Sequence, residues 1–115
     1  MTQGGFFTVE TFEYAEIVAH QQATGDAYLQ FLNQGSMSLG LYVLPAGSVD
    51  TQTPHLEDEI YYVVSGRGAI TVDGERREVQ PGSIVFVAKD IDHRFVNITE
   101  DLSILVFFAP QHTRN

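Results

Sequence analysis

Cysteine is absent from the chain, so neither a disulfide nor a thiolate ligand can hold the fold or carry chemistry. That absence fits a reducing compartment. Positive charge is also scarce. Six Lys and Arg stand against 15 Asp and Glu, for a formal net charge of −9. Such a balance repels nucleic acid and anionic membrane, so neither is expected as a partner. No apolar run approaches the ~18–20 residues of a spanning helix. The opening Met-Thr-Gln-Gly-Gly-Phe-Phe lacks the basic and apolar regions of a secretory signal. A cytoplasmic location is the expectation. No repeat, low-complexity tract or Pro/Ser-rich linker interrupts the chain. A Ser-His-Asp set with a nucleophile elbow is missing. So is a phosphate-cradling glycine loop, because Ser65-Gly66-Arg67-Gly68 reads as a turn between strands.

What is present suits one small folded domain. The 115 residues are 43% hydrophobic and 11% aromatic, enough for a core and for a single domain only. Thr11 to Gln22 has room for one short helix, with Thr11 as its cap, before Gly25-Asp26 breaks the pattern. From Tyr28 onward the pattern is β. Met37, Leu39, Leu41 and Val43 alternate with Ser38, Gly40, Tyr42 and Leu44 until Pro45-Ala46-Gly47. Glu59 to Val64 is rich in β-branched and aromatic residues and stops at Ser65-Gly66. Asp73-Gly74 between Ala69–Val72 and Glu75–Val79 is a strong two-residue hairpin signal. After Pro81-Gly82 comes the buried-looking run Ile84 to Val87, then strands near His93–Ile98 and Leu102–Phe108. Short strands at close spacing with little helix between them indicate an all-β sandwich or barrel.

The chain has four histidines, His20, His55, His93 and His112. His20 and His112 lie in the unpatterned ends and are not expected as ligands. His55 precedes Glu59 by four residues, a spacing that a helix face would also satisfy. The β character after Glu59 favours instead a tight turn through Leu56 to Asp58 and a new strand from Glu59. His93 would then arrive from a neighbouring strand. Glu57 and Asp58 read as solvated turn acids.

These residues resemble the cupin family, whose members carry two spaced motifs. Gly47, the slot pair Thr53 and His55, Glu59 and Gly66 reproduce the spacing of the first. Gly82, Ala88, Asp90, His93 and Asn97 fall in register with the second. The resemblance runs roughly from Leu39 to Phe108. It implies a double-stranded β-helix, or jelly-roll, barrel. Residues 36–110 would form that barrel, and 1–35 a strand or helix extension packing on it, within a single domain. It also implies one divalent transition metal (Fe, Mn, Ni, Zn or Cu) on His55, Glu59 and His93. Ala88 and Asp90 replace the Pro and Gly of a turn. Thr53 stands where the family has its first histidine, which leaves three protein ligands and open positions, as in facial-triad iron sites. Gln52 could supply a fourth donor if a bulge turns the strand, whereas regular alternation points Thr53 inward. The family's metal-free members keep such residues as a hydrogen-bonded cluster, the competing reading.

Strand alternation from Glu59 and His93 places Tyr61, Phe95 and Asn97 inside as a small-molecule pocket, with Tyr42 or Met37 beside them. Arg67, Arg76, Arg77 and Arg94 read as turn or outward positions, which favours a neutral or aromatic substrate or one held by the metal. The resemblance allows a metal-dependent enzyme of dioxygenase, isomerase or lyase type. It also allows a non-catalytic binding or sensing barrel, or a structural protein with a vestigial cluster, because a fold alone does not choose among them. The lead-in Phe6-Phe7 with Phe12, next to a barrel edge, suggests a homodimer.

Overall fold

A computed structural model describes residues 9–112. Phe6 and Phe7 lie outside the described residues. A helix α1 (Tyr14–Thr24) is followed by six strands: β1 (Tyr28–Gln34), β2 (Met37–Leu44), β3 (Asp58–Val72), β4 (Glu75–Val79), β5 (Ile84–Val87) and β6 (His93–Ala109). The helix caps on Glu13 rather than Thr11 and ends at Gly25 in the left-handed region, φ 75°. Ile17 and Gln21 are its buried residues, and it packs against β1 and β2. No helix among the described residues is long and apolar enough to cross a membrane.

Two strands run much longer than the sequence suggests. β3 continues straight through Ser65-Gly66-Arg67-Gly68, and β6 joins the two segments expected near His93–Ile98 and Leu102–Phe108. They pair antiparallel along their whole length, from Asp58↔Ala109 to Val72↔His93. The register slips between Val63 and Ser65, Ser65 and Arg67, and Arg67 and Ala69. These slips interrupt the regular ladder and mark the stretch where the ribbon bends. Before the bend, β3 pairs with β5 through Glu59–Tyr62, while β2 and then β1 extend the β6 side. After the bend, β3 pairs with β4 through Gly68–Val72, closed by the Asp73-Gly74 turn with φ 50° and 83°. The bent ribbon therefore belongs to both walls of the barrel and folds its two ends toward each other.

The core lies between those walls. Tyr61, Val63, Ile104, Val106 and Phe108 come from one side of the bend, and Ile70, Val79 and Phe95 from the other. Outward residues follow the same alternation. Ile84 and Phe86, expected to be buried, are 69% and 61% exposed, because only Val87 of β5 is buried. They pair with the exposed Tyr62 and Ile60 and form an apolar row on the outer face. Phe12 stacks edge-on against Phe31, with ring centroids 5.1 Å apart.

Gly66 is where the bend is made. Its φ of 97° disfavours any side chain, and a Cβ there would collide with the backbone of Asp101 and Leu102. Neither backbone can give way without breaking the ladder. Gly66→Ala is therefore expected to cost about 3 kcal/mol or more, measured as a fall of the calorimetric midpoint by roughly 12 °C or more. A midpoint within a few degrees of wild type would contradict this account of the bend.

Candidate metal centre and its cavity

The bend brings Glu59, near the start of β3, face to face with His93, which opens β6. Glu59 Oε2 lies 3.5 Å from His93 Nε2 and 3.7 Å from His55 Nε2. One donor atom from each of the three residues falls within 4.8 Å of the others. His93 Nδ1 donates to the Ile91 carbonyl at 2.8 Å, which leaves the Nε2 lone pair directed at the cluster. His55 sits in the irregular segment between β2 and β3, where its carbonyl accepts from Asp90 N–H at 2.7 Å.

Asp50 organises that segment. It is 2% exposed. Its carboxylate accepts from the Tyr42 hydroxyl at 2.6 Å, Gln52 Nε2 at 2.6 Å, Phe95 N–H at 2.8 Å and Gln52 N–H at 3.2 Å. Holding the Gln52 amino group turns its carbonyl oxygen toward the cluster. There it meets the Tyr61 hydroxyl at 3.1 Å and His55 Nε2 at 3.0 Å. Gln52, not Thr53, is thus the inward residue. Residues 45–57 form no strand, so alternation does not apply, and Thr53 is exposed at the rim. Asp50 itself carries no signal in the sequence, because a lone Asp before Thr-Gln-Thr-Pro looks like any loop acid.

The cluster adjoins a cavity of about 340 Å³ lined by Tyr28, Tyr42, Gln52, His55, Tyr61 and His112 among others. Of the three candidate ligands only His55 reaches its wall; Glu59 and His93 lie deeper, 2% and 1% exposed. Two of the expected pocket residues stand elsewhere. Phe95 is core, packed edge-on against Tyr61 at 4.9 Å, behind the cavity. Asn97 is exposed, on the far side with Arg67 and Thr99. Its φ of 49° breaks the alternation from His93, and Ile98 turns inward in its place. The side chain that replaces the motif glycine, Asp90, also takes the left-handed region, φ 64°, so the turn keeps its course.

A second pair was missed. His112 is buried, 7% exposed, and stacks on Phe108 at 4.3 Å, and its Nδ1 lies 3.0 Å from Glu57 Oε1. Glu57, read as a solvated turn acid, is 4% exposed. The pairing Asp58↔Ala109 sets the two chain segments side by side, a long-range contact that local pattern does not report. His55, Glu57 and His112 form a second group with donor atoms within 4.8 Å. His20 is exposed on α1.

Electrostatics follow from burial. Burial pushes the Glu59 carboxyl up to about 8, with Glu57 and Asp50 adding to the rise and the Tyr61 hydroxyl opposing it. Burial, then the neighbouring His93 and His112, lowers His55 to about 4. Between pH 4 and 6.5 the unfolded chain protonates His55 and the folded chain does not, so this group adds stability as pH rises. Between pH 4.5 and 8 the folded chain holds a proton on Glu59 that the unfolded chain has released, so that group removes stability as pH rises. The two oppose each other below pH 6.5. Above it the His55 contribution is complete, and through Glu59 metal-free protein is expected to lose about 1–2 kcal/mol between pH 6.5 and 8. Urea unfolding at a series of pH values measures this, with Glu59→Gln expected to flatten the slope.

Comparison with known proteins agrees with the architecture. A family model described as a cupin domain matches residues 40–108. An uncharacterized protein of Streptomyces coelicolor is 49% identical over 102 residues, covering 89% of this chain and 97% of its own length. Among solved structures, a cupin protein from Bacteroides fragilis is 26% identical with a TM-score of 0.63, over 74% of this chain and 77% of its own. KdgF from Halomonas sp. shares the fold at 24% identity and a TM-score of 0.67, over 76% and 79%. A bent two-walled barrel, both spaced motifs and a matching family model together show that the chain belongs to the cupin family.

Proposed function

We propose that this cupin binds one divalent transition metal on His55, Glu59 and His93 and uses it on a small organic molecule held in the adjoining cavity. One observation carries the reading. Glu59 Oε1 and His93 Nε2 are fully buried and have no hydrogen-bond partner among the described residues. Buried polar atoms are ordinarily paired, and each unpaired one costs about 1–3 kcal/mol. A vestigial cluster would close on itself through hydrogen bonds; here the Glu59–His separations of 3.5 and 3.7 Å are too long for that. A cation among the three donors would supply the partner that His93 Nε2 lacks and draw on the unpaired carboxylate beside it.

Imidazole and carboxylate donors suit several first-row metals, with positions left for an exogenous ligand. The Gln52 oxygen, already beside His55, is a further neutral donor. Bound there, the metal would supply Lewis acidity or, as iron, dioxygen chemistry. The protein's own part is to fix the His93 tautomer through Ile91, to hold Gln52 through Asp50, and to present aromatic walls that exclude water. Glu59 must shed its proton to act as a ligand, so loading near neutral pH releases protons.

Protein purified without chelator is expected to carry close to one equivalent of transition metal by elemental analysis. His93→Ala and Glu59→Gln should each lower that content at least ~10-fold, and added metal should raise the midpoint of the wild type only. Metal-free wild type that refuses all five candidate ions would overturn the reading. If the metal is iron, oxygen consumption with phenolic or thiol compounds separates a dioxygenase from Lewis-acid chemistry. Tight binding without turnover supports a sensing barrel instead.

The homodimer suggested by the sequence is also proposed, with the outer row Ile60, Tyr62, Ile84 and Phe86 as the contact, since exposed apolar rows favour association. Light scattering should give the mass of two chains at micromolar concentration, and Phe86→Glu should give one.

A further inference from the structure

The structure assigns His112 a ligand-binding role: its Nε2 accepts the hydrogen of a hydroxyl group on a flat aromatic molecule held in the cavity. The inference rests on the reading of that cavity as a small-molecule site and adds the ligand's chemistry to it.

The ring of His112 is fixed from several directions. Its backbone N–H donates to Ser38 Oγ of β2 at 2.8 Å. One face stacks on Phe108 at 4.3 Å, with 18° between the planes. Tyr28 and His55 meet it edge-on, with centroids 6.1 and 5.1 Å away. Nδ1 lies 3.0 Å from Glu57 Oε1. Ser38 and Glu57 are both buried and neither borders the cavity, whereas His112 does. The backbone and Nδ1 therefore point into the protein, and the opposite edge of the ring, which carries Nε2, is left to the cavity. Nε2 has no hydrogen-bond partner among the described residues, and it is not one of their sealed, unpaired side-chain atoms, a group that does include His93 Nε2.

The tautomer follows from the partner. A carboxylate only accepts, so Glu57 takes the Nδ1 hydrogen and Nε2 is left as a bare lone pair. What such an atom binds is a donor. The Tyr42 and Tyr61 hydroxyls of the same wall are already engaged with Asp50 and Gln52. No Lys or Arg lines the cavity among the described residues, so a carboxylate or phosphate would enter without a counter-charge from the wall. A hydroxyl supplies the missing hydrogen and brings no charge to be desolvated. The rings of Tyr42, Tyr61 and Phe108 favour an aromatic frame around it. A volume of about 340 Å³ has room for such a molecule.

The probes are 2-naphthol, which offers Nε2 a hydroxyl hydrogen, and 2-methoxynaphthalene, which offers only an ether oxygen. Each is titrated by fluorescence into full-length protein, as purified and after chelation, with metal content and thermal midpoint read on the same samples. Wild type is expected to bind 2-naphthol about 5–10-fold more tightly, the effect of one hydrogen bond. His112→Asn keeps an N–H for Glu57 but has no counterpart of Nε2, so the preference should vanish while metal content holds. Glu57→Gln, whose amide can give as well as take a hydrogen at Nδ1, should reduce the preference. A loss of stability alone moves both affinities together and leaves their ratio untouched. A ratio near one in wild type overturns the inference. So does a preference that survives His112→Asn, since it would then come from the metal or the walls. A preference unchanged in Glu57→Gln overturns it as well, because the tautomer would not depend on Glu57. Should His112→Asn not fold, the wild-type ratio and Glu57→Gln decide. Wild type that takes up no metal brings down the metal reading, while the ratio in the same samples still decides this one.

Discussion

The antiparallel ladder between β3 and β6 is the constraint on which the remainder depends. It is the longest pairing in the molecule, running from Asp58↔Ala109 to Val72↔His93 with three register slips near its middle. A straight ribbon of that length would hold Glu59 and His93 far apart, since they sit toward its opposite ends. The slips around Gly66 bend it, and the bend turns separation along the ladder into contact across the barrel. Both walls of the core, and two of the three candidate metal ligands, come from this one feature.

The third ligand is held differently. His55 and the adjoining Gln52 lie in an irregular segment with no ladder to fix them, and the fixing falls to Asp50. A buried carboxylate is costly unless its oxygens are fully engaged; here four donors engage them. One of those donors is the backbone of Phe95, two residues beyond His93. The loop carrying His55 is thereby tied to the strand carrying His93, so the two histidines keep a common frame. Gly47 N–H bonding to the Ile98 carbonyl at 2.9 Å, and Ala46 N–H to Asp101 at 2.7 Å, anchor the same loop at its start.

Much of this was legible in the sequence because it is written in backbone conformation. Gly47, Gly66 and Gly82 of the two motifs all take positive φ, and so do Asp90 and Asn97 in register with them. The motif is thus largely a record of where the chain must turn left-handed, which local residue type reports well. The same fact explains the misreading of Asn97. It was placed in the pocket by strand alternation, but a left-handed residue interrupts alternation. Ser65-Gly66 was read as a chain reversal when it is a bend within a strand, a distinction that only the partner strand decides. Asp50 and the Glu57–His112 pair were invisible for a further reason. Their meaning lies in contacts between distant segments, and nothing within a few residues of any of them marks it.

The bent ladder also bears on how the barrel opens. The candidate ligands Glu59 and His93 are carried by the two strands that also hold the hydrogen-bonded amides of the core. Neither end can fray on its own without dissolving the site, and the site cannot be dissolved without loosening both walls. Local openings, which in most proteins release a binding loop while the core stays shut, are here coupled to the cooperative unfolding unit itself. An ion lodged at the cluster would act as a clasp on that unit. Backbone amide exchange in β3 and β6 would then slow together, as one foldon, when the clasp is closed.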